Sequence, residues 1–343
     1  MAENKITLGM IARLAGVSRS TASRALSGHR WTSPETIRKV KKIADQLGYI
    51  PDAHLNKLMA HLRKSRQPVE KPSLALLSLR QRGEKELASK GRRNNANGVL
   101  QRARELGYTL EFFDLFDSGL TPKRLSQIWW NRGINGIIIH SLNKPSKLEG
   151  FDWDLFSWVT MGYSLREPEL HRIVINYQKL VWLGITKALE ARGQRIGFFL
   201  PSSLDENTLF HYRSAWLGYH NYAGEGKLLP LFLGNLQERE AFGVWLRKYK
   251  PEIVLVPGGR TELAARSFFQ SELSPRQKRP MILNLSLDSP ESENDGIYQD
   301  AVEVGTEAVN YLVQLIHSDE KGIPRSPKAI MVSGVWVDGS ARS

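Results

Sequence analysis

Residues 6–30 read ITLGMIARLAGVSRSTASRALSGHR. Leu8, Ile11, Ala12 and Ala15 recur at helical spacing, and Thr7 stands where it can cap the helix they define. Gly16 ends that helix, because glycine reaches the left-handed backbone a sharp turn needs. Val17 points into the small core that follows, and Ser18 caps a second helix. On this second helix Ala22, Ala25 and Leu26 share one side, while Arg19, Ser20, Ser23 and Arg24 lie largely on the other. Two short helices joined by a glycine turn, the second rich in arginine and hydroxyls, form the pattern of a helix-turn-helix reader of the DNA major groove. Arginine matches the O6 and N7 edge of guanine through two hydrogen bonds, and serine contacts bases more loosely.

A third helix begins at Ser33-Pro34-Glu35, which supplies a cap, a proline in the first turn and an acid at the positive dipole end. Its buried stripe is Ile37, Val40, Ile43, Ala44 and Leu47, and Gly48 ends it. Charge follows the same map. The chain of 343 residues carries a net charge of +13. Residues 1–66 hold 13 Lys/Arg against 4 Asp/Glu, a net of +9, and the remaining 277 residues contribute only +4. Clustered positive charge on amphipathic helices neutralises phosphates and releases counterions.

Three segments carry a closer likeness: Ala12-x-x-Ala15-Gly16-Val17-Ser18-x-x-Thr21-x-Ser23-Arg24-x-Leu26, then Ser33-Pro34-Glu35-Thr36, then Leu47-Gly48-Tyr49-x-Pro51. Together they resemble the DNA-binding headpiece of the lactose/galactose repressor (LacI/GalR) family over about fifty residues without a gap. The resemblance implies that Arg19 and Ser20 read bases and that Arg24 is a third base contact. It also implies that Thr7, Ser18, Thr21, Ser23, Ser33 and Tyr49 meet phosphates. Ser18 and Ser33 read equally well as plain helix caps, and the two roles coexist.

After Pro51, residues Leu55, Leu58, Met59 and Leu62 fall on one side of a short basic segment that is marginal as a lone helix. The resemblance makes it a hinge helix that folds on the operator, pairs with its twin and wedges Leu58 into the minor groove. A plain linker is the alternative. Asp52 departs from the asparagine usual after this proline, and a carboxylate there is unfavourable beside phosphate.

Gln67 to Pro72 reads as a linker, and beyond it β-type runs alternate with helical patterns. Strands are expected at 74–79, 109–113, 136–139, 172–175, 195–200, 229–232, 253–256, 281–285 and 328–332. Helices are expected at 94–106, 122–130, 178–191, 210–223, 238–249 and 302–317. Such alternation builds parallel sheets covered on both faces. The fold class is therefore α/β behind an all-helical headpiece, and the resemblance implies two Rossmann-like lobes of the periplasmic-binding-protein type around a ligand cleft. The division is a headpiece at 1–50, a hinge and linker at 51–66, and an effector-binding and dimerisation domain at 67–343. Lobe 1 covers about 72–172 plus 300–322 and lobe 2 about 173–298 plus 324–343, with crossings near 172, 299 and 323.

Within the lobes the likeness is patchier. Ile173-Val-Ile-Asn176, Arg195-Ile-Gly-Phe198, Ser286-Leu-Asp288, Gln299, Gly305 and Ala308 match family patterns. The Asn-Pro-Phe-Phe segment after the first strand is missing, and Ala215 stands where an arginine is usual. Asp288 is the leading candidate for effector hydroxyls. Arg213 and Trp216 are neighbours of the missing arginine. His140 ends a strand, where open sheets bind ligands, although a structural histidine fits as well. Trp129, Trp130, Trp153, Trp158, Trp182 and Tyr163 offer stacking faces, with core packing as the alternative.

Enzyme signatures are weak. Gly224-Glu-Gly226-Lys227 is followed by Leu228 and lacks the phosphate-loop pattern. Gly162-Tyr-Ser164-Leu-Arg166 is half a nucleophile elbow. Pro257-Gly258-Gly259 is no dinucleotide fingerprint, and a zinc-protease His-Glu-x-x-His is absent. The chain has no cysteine, which removes thiol and zinc–cysteine chemistry and fits a reducing cytosol. No apolar run approaches the roughly 18 residues of a membrane span. The expectation is a cytoplasmic, non-enzymatic, dimeric DNA-binding regulator, expected to repress. It would bind a double-stranded operator and a small, sugar-like effector, with neither cofactor nor metal. The competing reading is a carbohydrate-binding protein with a vestigial headpiece.

Overall fold

The computed structural model describes residues 8–26, 32–47, 72–79, 90–115, 119–224, 226–274 and 276–339. Three helices, α1 (Leu8–Ala15), α2 (Arg19–Leu26) and α3 (Pro34–Gln46), pack on one another. Between α1 and α2, Gly16 takes φ +68° and Val17 N–H returns to Ala12 O at 2.9 Å, closing the first helix. Ser18 Oγ accepts from Thr21 N–H at 3.1 Å and Ser33 Oγ from Thr36 N–H at 3.2 Å, so both following helices are side-chain capped. The core of this unit is Ile11, Ala12, Ala15, Ala22, Ala25, Val40 and Ala44, with Val17, Leu26, Ile37, Ile43 and Leu47 against it. It is built from small residues, so each cap matters. Ser33→Ala is expected to lower the stability of α3 by about 1 kcal/mol, seen as earlier melting of the helical signal in the isolated amino-terminal transition.

The rest of the chain forms two α/β lobes. The first sheet has strand order β13-β7-β5-β3-β1-β2, comprising Ala329–Val332, His171–Ile175, Ser157–Met161, Gly136–Ile139, Ser73–Ser78 and Thr109–Asp114, all parallel. The second has order β14-β12-β11-β10-β8-β9, comprising Val335–Val337, Gly296–Tyr298, Met281–Leu287, Ile253–Val256, Ile196–Pro201 and Phe232–Gly234. Only β14 is antiparallel in that sheet, against β12. A two-stranded parallel pair, β4 (Ser146–Lys147) with β6 (Leu165–Glu167), flanks the first lobe.

Helices cover both sheets. On the first lobe lie α4 (Lys90–Glu105), α5 (Pro122–Asn131) and α12 (Ala301–His317); on the second, α6 (Tyr177–Glu190), α7 (Ser202–Asn207), α8 (His211–Gly218), α9 (His220–Ala223), α10 (Arg239–Tyr249) and α11 (Gly259–Glu272). Helices α4 and α12 cross at glycine: a Cβ on Gly305 would run into the backbone of Asn95 and Val99, and one on Gly98 into that of Val302. Gly305→Ala therefore forces two backbones apart and is expected to cost about 1–3 kcal/mol. An unchanged midpoint in urea would contradict this close crossing.

The structure adds helix α11 and the short strands β4, β6, β12 and β14 to the elements the sequence pattern gives, places the strand expected at 229–232 at Phe232–Gly234, and differs from the pattern elsewhere as well. Strand β5 lies in the middle of the first sheet, buried throughout, although its Ser157 and Thr160 broke the apolar run. Those hydroxyls are satisfied within the fold, by Glu320 O at 2.7 Å and Ile139 O at 3.5 Å. The helix expected at 210–223 is two, α8 and α9, with α7 before them. The chain leaves the first sheet after Ile175. Its last crossing falls at Ser333-Gly334, not near 323, because Ala329–Val332 pairs in parallel with Arg172–Ile175 before β14 joins the other lobe.

Candidate nucleic-acid interface and interlobe cleft

Ala22 and Ala25 are fully buried on α2, which fixes the orientation of the helix. At 100° per residue, backbone positions 20, 23 and 24 fall on the side away from that core. The side chains of Arg19, Ser20, Ser23 and Arg24, and the whole of Thr7, Tyr49, Leu58 and the 51–66 segment, lie outside the described residues. Ser18 and Ser33 are exposed, each with its hydroxyl engaged in capping, and Ser18 Oγ also meets Thr21 Oγ1 at 2.8 Å. A capped helix start at the protein surface presents N–H groups to an anion such as phosphate.

The second site lies between the lobes, at the carboxyl ends of both sheets, where open α/β sheets bind ligands. From the first lobe come His140 after β3, Tyr163 after β5, and Arg166 and Arg172 on β6 and β7. From the second come Tyr177 at the start of α6, Asp205 to Asn207 on α7, and His211 at the start of α8. Leu209 and Phe210 both hold left-handed backbone, φ 53° and 61°, and this turn separates α7 from α8 and brings His211 against Tyr163. The two rings lie 4.3 Å apart, with Tyr177 6.2 Å from Tyr163 and 4.7 Å from Tyr212. Asn207 Nδ2 donates to Asn143 O at 2.7 Å, and Arg166 Nη2 donates to Glu206 O. These contacts join lobe to lobe.

The four effector candidates fare differently. Trp216 is fully buried in the second-lobe core beside Phe198, and its indole N–H donates to Leu229 O at 3.3 Å. It has no face left for a ligand, so its assignment to the effector site is corrected to core packing. Arg213 Nε pairs with Asp205 Oδ2 at 3.0 Å and its guanidinium covers the Phe210 ring. Burial pushes the Asp205 carboxyl above its ordinary range while Arg213 pulls it back. Asp288 is exposed just past the end of β11. His140 is 4% exposed, with Nδ1 3.3 Å from Ser141 O and from Ser141 Oγ. None of the four lines the hollow of about 260 Å³ formed by Asn176, Gln178, Lys179, Trp182 and Tyr219 beside the first crossing.

Of the remaining aromatics, Trp129 and Trp158 are first-lobe core: Trp129 stacks on Phe151 and meets Phe156 and Trp158 edge-on. Trp130 is 57% exposed on the outer face of α5. The sequence reading missed Arg166, Arg172, Tyr177, Asp205 and His211. The one visible signal was a charged residue inside the apolar run His171-Arg172-Ile173-Val174-Ile175. Among the described residues no cluster of His, Asp and Glu is arranged to hold a metal, and no helix is long and apolar enough to cross a membrane.

Comparison with known proteins bears on the headpiece sequence and on the two-lobed fold. The profile of the bacterial regulatory proteins, lacI family, matches residues 7–52. The HTH-type transcriptional regulator CelR of Thermobifida fusca is 48% identical over 46 residues, 13% of this chain and 14% of that protein. The maltose regulon regulatory protein MalI of Vibrio furnissii is 27% identical over 148 residues, 43% of this chain and 98% of that protein. In fold, the crystal structure of the lac repressor dimer bound to operator and the anti-inducer ONPF aligns over 98% of both chains with a TM-score of 0.56 and 16% identity. Residues 7–52 thus match the lacI family of bacterial regulatory proteins, and the rest of the chain shares the two-lobed fold of the repressor structures.

Proposed function

We propose that this DNA-binding regulator acts as a dimer on a pseudo-palindromic operator, represses from it, and changes its DNA affinity when a small molecule enters the interlobe cleft. The observation that carries the reading is the headpiece. Its second helix is capped by Ser18 and anchored by Ala22 and Ala25, which leaves positions 20, 23 and 24 on the outer side. Arg19, Ser20 and Arg24 then read base edges, while Thr7, Ser18, Thr21, Ser23, Ser33 and Tyr49 fix the register on phosphates. The lac repressor, similar in fold, was crystallised as a dimer on operator with an anti-inducer, which supports the same three partners here.

Coupling follows from the topology. The segment before β1 connects the headpiece to the first lobe, and the chain passes between the lobes at Asn176, at Gln299-Asp300 and at Ser333-Gly334. A ligand that changes the angle between lobes shifts the spacing of two headpieces, with a coupling of about 1–3 kcal/mol. Asp288 and the Asp205–Arg213 pair are the groups we assign to effector hydroxyls. No catalytic residue is assigned, and the relatives are transcriptional regulators.

The hinge segment supplies the test. Leu58→Gly removes the minor-groove wedge and is expected to weaken operator binding at least about tenfold while sparing non-specific duplex, since unstacking is offset only by contacts made on the bent site. Equal loss on both duplexes would reject the wedge. Retention of sugar binding with no duplex preference at all would favour a carbohydrate-binding protein with an idle headpiece.

A further inference from the structure

The interlobe cleft holds a group of cations that nothing in the DNA reading requires. Arg172 sits second in β7 and reaches along the sheet to the end of β5, with Nη1 3.5 Å from Gly162 O and its guanidinium 5.4 Å from the Tyr163 ring centre. Among the described residues no carboxylate lies within ion-pair distance of it, and the more distant Glu169 offsets its charge less than burial disfavours it. Arg213, Arg247 and Arg266, by contrast, each hold one.

Arg166 spends Nη2 on Glu206 O, and its Nη1 is buried without a partner. His211 closes the group from the other lobe, and burial together with the two guanidiniums disfavours its protonation. On α7, Asp205 Oδ1 and Asn207 Oδ1 are also buried and unpartnered, the other Asp205 oxygen being taken by Arg213. Half-buried cations with no counter-charge in contact are costly. Buried donors and acceptors left open in one place are a site waiting for a ligand of complementary pattern.

We propose that the cleft takes an anionic polyol, a sugar carrying a phosphate or carboxylate, whose acid group is held by Arg172 and Arg166 and whose hydroxyls donate to Asp205 and Asn207. Guanidinium forks match either acid group bidentately. This rests on the effector reading of the cleft. It goes beyond that reading in excluding a neutral sugar as the preferred ligand. The lobes must part for entry, because Tyr163 and His211 meet across the cleft with their rings 4.3 Å apart.

The test uses the full chain without DNA. Its thermal midpoint is measured with inorganic phosphate, with glucuronate and with glucose, each against chloride at equal ionic strength. Binding to the native state raises the midpoint. Phosphate, glucuronate or both are expected to raise it where glucose does not, and whichever acts identifies the acid group. Arg172→Gln is expected to lower the apparent affinity at least about tenfold, while Arg24→Gln in the headpiece leaves the gain intact. Arg166→Gln serves as the second variant should Arg172→Gln not fold. An equal gain from glucose, no gain from either acid, or an unchanged gain in the arginine variants overturns the proposal. Because no DNA is present, these outcomes stand apart from success or failure of operator binding.

Discussion

Replacing Arg19 and Arg24 together by alanine is expected to weaken operator binding by about 2–6 kcal/mol, since each bidentate arginine–guanine pair contributes about 1–3 kcal/mol of discrimination. Non-specific binding should fall far less, because most of the remaining positive charge of residues 1–66 is untouched: 13 Lys/Arg become 11. Selection of preferred duplexes from a random pool gives the readout. The double variant should return a degenerate site at the positions these side chains face. If it returned the wild-type site at slightly lower affinity, the arginines would be phosphate contacts and specificity would lie elsewhere. The salt slope separates the two cases independently, since each lost phosphate contact reduces it by about 0.9 on B-DNA.

Trp216→Ala carries the largest expected loss of stability, about 3–5 kcal/mol for removal of a fully buried tryptophan. The indole is 0% exposed, 5.4 Å from the Phe198 ring, and gives its N–H to Leu229 O. Urea unfolding followed by far-ultraviolet circular dichroism reports the loss without relying on tryptophan fluorescence. Ligand affinity, measured where the variant is still folded, should stay within about twofold of wild type, below the 1.4 kcal/mol that a tenfold change represents. A variant of unchanged midpoint and lost ligand binding would return Trp216 to the cleft.

The headpiece was legible because its instructions are local. Gly16 at φ +68°, the Ser18 and Ser33 caps and Pro34 each act within four residues, and the small-residue core follows from helical spacing alone. The α/β character was legible for the same reason, one apolar run at a time. Strand β5 escaped because Ser157 and Thr160 look like surface residues until Glu320 and Ile139 arrive to accept their hydroxyls. The last crossing escaped because pairing of Ala329–Val332 with Arg172–Ile175 spans more than 150 residues and leaves no mark on the short strand itself.

The cleft was the hardest part. Tyr163, Arg172, Asp205 and His211 come from four elements of two lobes. Composition does not separate a core tryptophan such as Trp216 from a stacking platform. Residue type pointed to the proposed DNA reader, whose candidate residues sit on one helix, and could not point to a candidate site assembled by tertiary structure.

The most direct measurement of the central claim is a gel shift of the purified chain on genomic fragments at low and high salt, with scrambled duplex as competitor. A sequence-specific reader of the kind described retains a small set of fragments at high salt, because base-edge contacts outlast the screened phosphate term. Fragments that dissociate together as salt rises, with no sequence outcompeting scrambled duplex, would contradict the assignment of α2 as a reader of DNA.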